Sequence, residues 1–260
     1  MDYIIRQYRA SVMRACRLMK LSRSVYQYQP KQDDDNEIVS AVKDLAYAHK
    51  RYGFRKIFHK LRQKGFIWNH KRVYRVYRSL GLHLKKKPKK RLPSREKVAL
   101  YQPAEMNEIW SLDYMSDALM CGKKFRTANV IDDYNREVIA LKASTSLPSS
   151  RVVELLDNVA QSRGYPKKIR MDNGPENISK IMKEWAQKNN VQLIYIQPGE
   201  PAQNAYIERF NRTYREEVLD MHLFKSTDHV QAITDCWIDE YNNQRPHHSL
   251  RNKTPREYGT

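Results

Sequence analysis

Ile109-Trp110-Ser111-Leu112-Asp113-Tyr114-Met115 is the stretch on which the fold turns. Its apolar residues partly alternate, as in a strand with one buried face, and a carboxylate stands in its middle. Two more strand-like runs follow, 125–131 and 137–143, joined by the turn Asp133-Tyr134-Asn135-Arg136. Pro148 then opens a helix to about Arg163, with Val152, Val153, Leu156 and Val159 facing inward and Gly164 ending it. A short strand, 168–172, precedes a helix over 179–189 and a fifth strand over 191–196. Pro198-Gly199-Glu200-Pro201 makes a loop, and a helix of about twenty residues begins near Gln203. A last helix, 227–242, leads into an irregular tail. The order β-β-β-α-β-α-β-α predicts an α/β fold, a mixed sheet with flanking helices.

Upstream the pattern is all helical. Residues 3–28 read as short helices: Ile4, Ile5, Tyr8, Val12 and Cys16 fall near helical spacing, and Ser22 caps a second helix carrying Val25 and Tyr26 that ends before Pro30. Gln32-Asp33-Asp34-Asp35-Asn36 is a polar spacer whose acids suit the start of the next helix. Three helices follow, marked by Ile38, Val42 and Leu45, by Ile57 and Leu61, and by Val73, Tyr77 and Leu80, with breaks at Tyr52-Gly53, Gly65-Phe66 and Gly81. The third carries His70, Lys71, Arg72, Arg75 and Arg78 on its outer faces, which suits insertion beside a duplex. A trihelical protein-interaction module with a solvated basic face is the alternative. The run Lys85-Lys86-Lys87-Pro88-Lys89-Lys90-Arg91 reads as a linker that contacts phosphates or simply tethers.

Charge supports the first of these readings. The 260 residues hold 48 Lys+Arg against 29 Asp+Glu, a net +19. Residues 1–100 carry 27 basic and 7 acidic side chains, and the remainder 21 and 22, so the first hundred carry the whole excess. A basic region beside a near-neutral domain is the footprint of polyanion binding, whereas a membrane anchor would want a broader apolar face. No apolar stretch approaches the ~18 residues of a membrane span, and no secretory signal is expected. Cys16, Cys121 and Cys236 lie far apart, which indicates neither a disulfide framework nor a zinc ribbon and fits a reducing cytoplasm.

Three carboxylates stand out: Asp113, Asp172 in Met171-Asp172-Asn173-Gly174-Pro175-Glu176, and Glu208 in Gln203-Asn204-Ala205-Tyr206-Ile207-Glu208-Arg209-Phe210-Asn211. Singly they read as a strand-edge acid, a turn former and a surface helix residue. Together, two strand acids and one helix acid at one edge of a sheet would hold hard cations such as Mg²⁺ through oxygen.

Thirty-five residues separate Asp172 from Glu208, and with Asp113 this resembles the D…D-35-E pattern of retroviral integrases and related transposases. Trp110-Ser111-x-Asp113-Tyr114, Asp172-Asn173-Gly174-Pro175-Glu176, Gln203-Asn204-x-x-Ile207-Glu208 and the tail Tyr241-Asn242-Asn243-Gln244-Arg245-Pro246-His247-His248-Ser249-Leu250 resemble the OrfB transposases of the IS-three insertion-sequence family. Tyr52-Gly53-Phe54-Arg55 and Asn69-His70-Lys71-Arg72-Val73-Tyr74 are similar to that family's helical DNA-binding segment.

That resemblance implies a ribonuclease-H-like mixed sheet preceded by small all-α helix-turn-helix-like domains. The divisions are 1–31 as a helix-turn-helix-like segment, 35–84 as a helical DNA-binding domain, 85–105 as a basic linker, 106–222 as the core, and 223–260 as a C-terminal helix and tail. Asp113, Asp172 and Glu208 would be both catalytic and metal ligands for two Mg²⁺ ions, with Mn²⁺ as substitute. The activity implied is binding of insertion-sequence ends, strand cleavage and strand transfer by two-metal phosphoryl transfer. The rival expectations are a non-catalytic DNA-binding regulator derived from a transposase and a plain nuclease. Double-stranded DNA, as terminal inverted repeats and target, is the expected partner. At least a dimer on DNA is expected, with an upstream OrfA-type protein or fusion, in a bacterial, nucleoid-associated setting.

Arg212 and Arg215 share a helix face with Glu208, at i+4 and i+7, and form surface ion pairs or touch DNA; the resemblance favours DNA for Arg215. Gln203 and Asn204 contact DNA or cap the helix, and Lys85, Lys86 and Lys87 contact phosphate. Residues 198–202 would order on DNA. Asn177 stands where relatives often have an aromatic, which bears on local packing rather than chemistry. Trp110, Trp185 and Trp237 read as core, and His247-His248 as tail packing rather than a metal pair.

Overall fold

Strand or helix periodicity decides most elements in the computed structural model, which describes residues 1–29, 34–84, 100–197 and 201–260. Pro30, Gln32 and Asp33, the basic run from Lys85 with Lys86 and Lys87, and Pro198-Gly199-Glu200 lie outside the described residues. The chain divides into two units, 1–40 and 41–260.

The first unit corrects one expectation. The helical stretch from Ile4 to Cys16 is two helices, α1 (Asp2–Tyr8) and α2 (Val12–Leu18). Arg9 adopts a left-handed conformation, φ 47°, and the Ser11 hydroxyl accepts the Arg14 N–H to start the second helix. Ser22 caps α3 (Arg23–Tyr26) in the same way through the Val25 N–H. The boundary between the units falls inside α4 (Asn36–Ala48), before which Asp34 Oδ1 accepts the Asn36 N–H at 3.1 Å.

In the second unit, α5 (Phe54–Gln63) and α6 (His70–Ser79) follow the remainder of α4. Val42, Leu45, Ile57, Leu61, Val73 and Tyr77 are buried at the positions their spacing requires, together with Val76. Gly65 and Gly81 close α5 and α6 with positive φ, 88° and 68°, a conformation that costs glycine little.

Five strands form one sheet in the order β3-β2-β1-β4-β5: β1 (Ile109–Ala118), β2 (Lys124–Asp132), β3 (Val138–Ser144), then α7 (Ser149–Arg163), β4 (Lys168–Met171), α8 (Lys180–Lys188) and β5 (Gln192–Tyr195). β1, β2 and β3 are antiparallel neighbours, whereas β4 and β5 run parallel to β1, so the sheet is mixed. Alternation on β1 divides it between two layers. Trp110 and Leu112 pack with Val152, Leu156 and Met182 under α7 and α8, while Met115 joins Phe125 and Ile131 on the opposite face.

That second face is covered by α9 (Ala205–Glu217) and α10 (Thr227–Asn243), whose Ile207, Phe210, Tyr214, Val230 and Tyr241 complete its core. The helix after residue 203 is shorter than expected. A 3-10 turn, Pro201–Asn204, precedes α9, and a second one, Leu219–Met221, follows it. The tail is also more regular than expected. It ends in α11 (Pro255–Gly259), where Thr254 and Glu257 form a capping box and Pro255 opens the first turn. Trp110 and Trp185 are core residues, and Trp237 is half-buried against the same core as Phe210.

Candidate active site

Strand parity places the first carboxylate. Asp113 has the same facing as Ser111 and Met115, and directly opposite it on β2 is Asn129, so both look toward α9. From α9, Asn211 donates its amide to Asp113 Oδ2 at 2.6 Å and accepts the Asn129 amide at 2.7 Å. The Tyr114 backbone N–H donates to Asp113 Oδ1 at 2.8 Å. Burial pushes the Asp113 carboxyl up to about 6; the charges of Asp172 and Glu208 push the same way, and the Tyr114 and Asn211 donors oppose them.

Parallel pairing places the second. Trp110 lies opposite Ile169 and Ser111 opposite Arg170, and the same register two residues on sets Asp113 level with Asp172 at the end of β4. Asp172 Oδ1 accepts the Gly174 N–H at 3.1 Å and the Asn177 amide at 2.6 Å. Gly174 lies close by: a Cβ there would stand 3.0 Å from that same Oδ1, so that the carboxylate would have to shift by a few tenths of an ångström. Asn177 is fully buried, accepts the Tyr114 hydroxyl at 3.1 Å, and has its own carbonyl capped by the Tyr195 hydroxyl. The expectation that Asn177 bears only on packing is therefore corrected, because its amide binds a candidate site carboxylate. Around it, Arg126 pairs with Glu176 and lies over the Tyr114 ring at 4.7 Å, and that pairing holds the Glu176 carboxyl below its ordinary range.

Glu208 projects from the first turn of α9 on the exposed side, opposite Ile207 and Phe210. Its charge acts on Asp113. Among the described residues, no group of three His, Cys, Asp or Glu side chains is gathered for a metal ion. The donor chemistry nonetheless fits one: three carboxylates give only hard oxygen ligands, as Mg²⁺ or Mn²⁺ requires, and Asp172 Oδ2 carries no hydrogen bond from the described residues.

The remaining site expectations separate. Arg215 does not pair with Glu208; its guanidinium donates to Asp117 at 2.8 Å and to the Ser116 carbonyl at 2.8 Å. Arg212 is exposed. Asn204 occupies the N-cap position of α9 without capping it, and is buried with Oδ1 unpartnered among the described residues. The Gln203 side-chain oxygen Oε1 accepts the Gln197 N–H at 3.0 Å. Lys71, Arg75 and Arg78 are exposed on α6 and Arg72 half-buried, while His70 stands edge-on to the Phe54 and Phe58 rings. Reading the sequence did not single out Asn129 or Asn211. An amide at a core-facing strand position, and another one turn beyond Glu208, are the signals that pointed to them.

A five-stranded mixed sheet with helices on both faces is the architecture of the integrase catalytic cores. Models of the integrase core domain match residues 103–201 and 189–255, and one of an HTH-like domain matches 33–91. The 31.7 kDa protein of insertion element IS407 from Burkholderia multivorans is 40% identical over 95% of this chain and 90% of its own. The transposase of insertion sequence element IS904 from Lactococcus lactis is 26% identical over 88% of this chain and 96% of its own. A chain of the simian T-cell lymphotropic virus intasome, solved with PP2A regulatory subunit B56 gamma, shares the fold. Its TM-score is 0.51 at 15% identity, over 84% of this chain and 74% of that one. The protein belongs to the IS-three family of insertion-element proteins, as an OrfB-type transposase with an integrase core. Among the described residues, no helix is long and apolar enough to cross a membrane.

Proposed function

We propose that this protein moves its insertion element by binding the element's DNA ends, cutting a strand and joining the freed 3′-hydroxyl to target DNA. The observation that carries the reading is the setting of Asp113: a buried amide relay from Asn129 through Asn211 fixes its orientation, and the register of β1 and β4, carried two residues on, brings it level with Asp172. Asp113, Asp172 and Glu208 would hold Mg²⁺, which supplies charge neutralisation at the phosphate and an activated attacking oxygen. The chain's own part is placement. Asn211 and the Tyr114 N–H orient Asp113, Gly174 and Asn177 orient Asp172, and the sheet keeps both acids in register. The α4–α6 segment, with Lys71, Arg75 and Arg78 exposed, fits the role of holding duplex DNA, with Lys85, Lys86 and Lys87 adding phosphate contacts. Two element ends call for at least two copies of the chain.

The test is incubation of the full chain with candidate element ends and Mg²⁺ or Mn²⁺, followed by mapping of nicked and joined strands. Asp172→Asn is expected to abolish both products. Full strand transfer by that variant would overturn the reading, and nicking without joining by the unaltered chain would leave a nuclease.

A further inference from the structure

A cavity of about 450 Å³ lies between α5, the turn after β2, the first half of α9 and the tail. Among the described residues no carboxylate lines it; its charged walls are Lys56, Arg136, Arg209 and Arg245, with His247 and His248 beside them. Four segments distant in sequence thus deliver cations to one space.

Their charges are poorly compensated. Glu217 is spent on Arg245 and stands 4.0 Å from the Lys56 ammonium, so one carboxylate serves two cations. Arg136 lies on the Tyr206 ring at 3.4 Å, and among the described residues its guanidinium donates only to the Tyr134 carbonyl, at 3.4 Å. Arg209 is exposed and makes no ion pair among the described residues. Burial and then Arg245 push the Lys56 ammonium down to about 8, with Arg209 adding to the shift. Burial, Arg245, Lys56 and Arg136 hold His247 well below its ordinary range, and its buried Nε2 has no partner among the described residues. Like charges gathered in a partly desolvated space destabilise the chain unless an anion joins them.

Arg209, which lines the cavity, follows Glu208 directly in α9. We propose that this cavity is a phosphate site that takes a backbone phosphodiester of the DNA strand beside Glu208, gripped chiefly by Arg136 and Arg209. The ligand class rests on the transposase reading; the need for an anion does not. A fork of guanidinium donors suits phosphate oxygens better than a point charge would.

The experiment measures binding of a duplex oligonucleotide by the full chain across a salt series, for the unaltered protein, Arg209→Gln, and Arg136→Gln/Arg209→Gln. Lys142→Gln/Lys188→Gln, which removes two exposed charges from β3 and α8, is the control. The double cavity variant is expected to lower the slope of log affinity against log salt by about 2 and to weaken binding at least about tenfold at low salt; the single variant should lower the slope by about 1. The exposed Arg209 keeps the test open should Arg136→Gln disturb folding. In parallel, inorganic pyrophosphate is expected to raise the melting temperature of the unaltered chain and not of the double variant. An unchanged slope and affinity in both cavity variants, or an equal loss in the control, would overturn the proposal. If the unaltered chain binds no DNA, the transposase reading fails and the strand assignment with it. A surviving pyrophosphate shift would then mark a free-phosphate pocket.

Discussion

The Asn177 amide donates to Asp172 Oδ1 at 2.6 Å while its own oxygen accepts the Tyr114 hydroxyl at 3.1 Å. One buried side chain therefore ties the end of β4 to the middle of β1. Asn177→Leu leaves the Tyr114 hydroxyl without its acceptor, and is expected to cost about 1–3 kcal/mol of stability in chemical denaturation. Loss of an orienting donor should also weaken Mn²⁺ binding about 10–100-fold by titration calorimetry. Unaltered metal affinity in a folded Asn177→Leu protein would remove Asn177 from the site.

Asn129 and Asn211 form one relay to Asp113, so their substitutions should not add. Asn211→Leu strands the Asn129 amide, and Asn129→Leu strands the Asn211 carbonyl oxygen. The double variant should be more stable than the sum of the two losses predicts, by about 0.5–3 kcal/mol. A double-mutant cycle in urea checks this, and strict additivity would contradict the relay.

Asp133 and Arg170 pair at 2.6 Å, with Ser111 also donating to the same carboxyl group at 2.7 Å. Burial raises Asp133 from its ordinary 3.8 to about 6. Between those values the folded chain holds a proton that the unfolded chain has released. This contribution to stability is therefore fully present below about pH 4 and lost as pH rises through about 6. Arg170→Met leaves the carboxylate unpaired and should cost about 3–5 kcal/mol at pH 8, and less at pH 5. Denaturation curves across that range check the sign; a loss that grows toward acid would refute it.

Asp117 competes with any phosphate for Arg215. The pair is half-exposed, so Asp117→Asn should change stability by no more than about 1 kcal/mol. If Arg215 reaches DNA, releasing it should strengthen duplex binding and steepen its salt dependence by about one unit of slope. Fluorescence anisotropy at several salt concentrations reads both, and weaker binding in Asp117→Asn would show that Arg215 is structural.

The sheet and its helices were legible because their signals are local. Partial alternation marked β1, Pro148 and Gly164 bracketed α7, and Ser22 announced the helix it caps. The split at Arg9 was not, since a non-glycine residue at φ 47° leaves no compositional trace. The tail helix could have been read from Thr254-Pro255-x-Glu257, a capping box with proline at its first position. The three acids were found through motif spacing, whereas their supporting amides were not. Asn129 and Asn211, 82 positions apart in sequence, meet only after α9 has docked. The cations of the phosphate cavity come from four segments, and no linear pattern gathers them.

β1 serves two masters on alternate residues, apolar packing on one side and Asp113 on the other. Deleting a single residue between Ile109 and Asp113 would turn the carboxylate into the layer of Trp110 and Leu112 and send an apolar side chain toward α9. This strand should therefore accept exchanges of one residue for another far more readily than any change in its length. Indels within it ought to be purged from functional copies of the element while neighbouring loops drift freely.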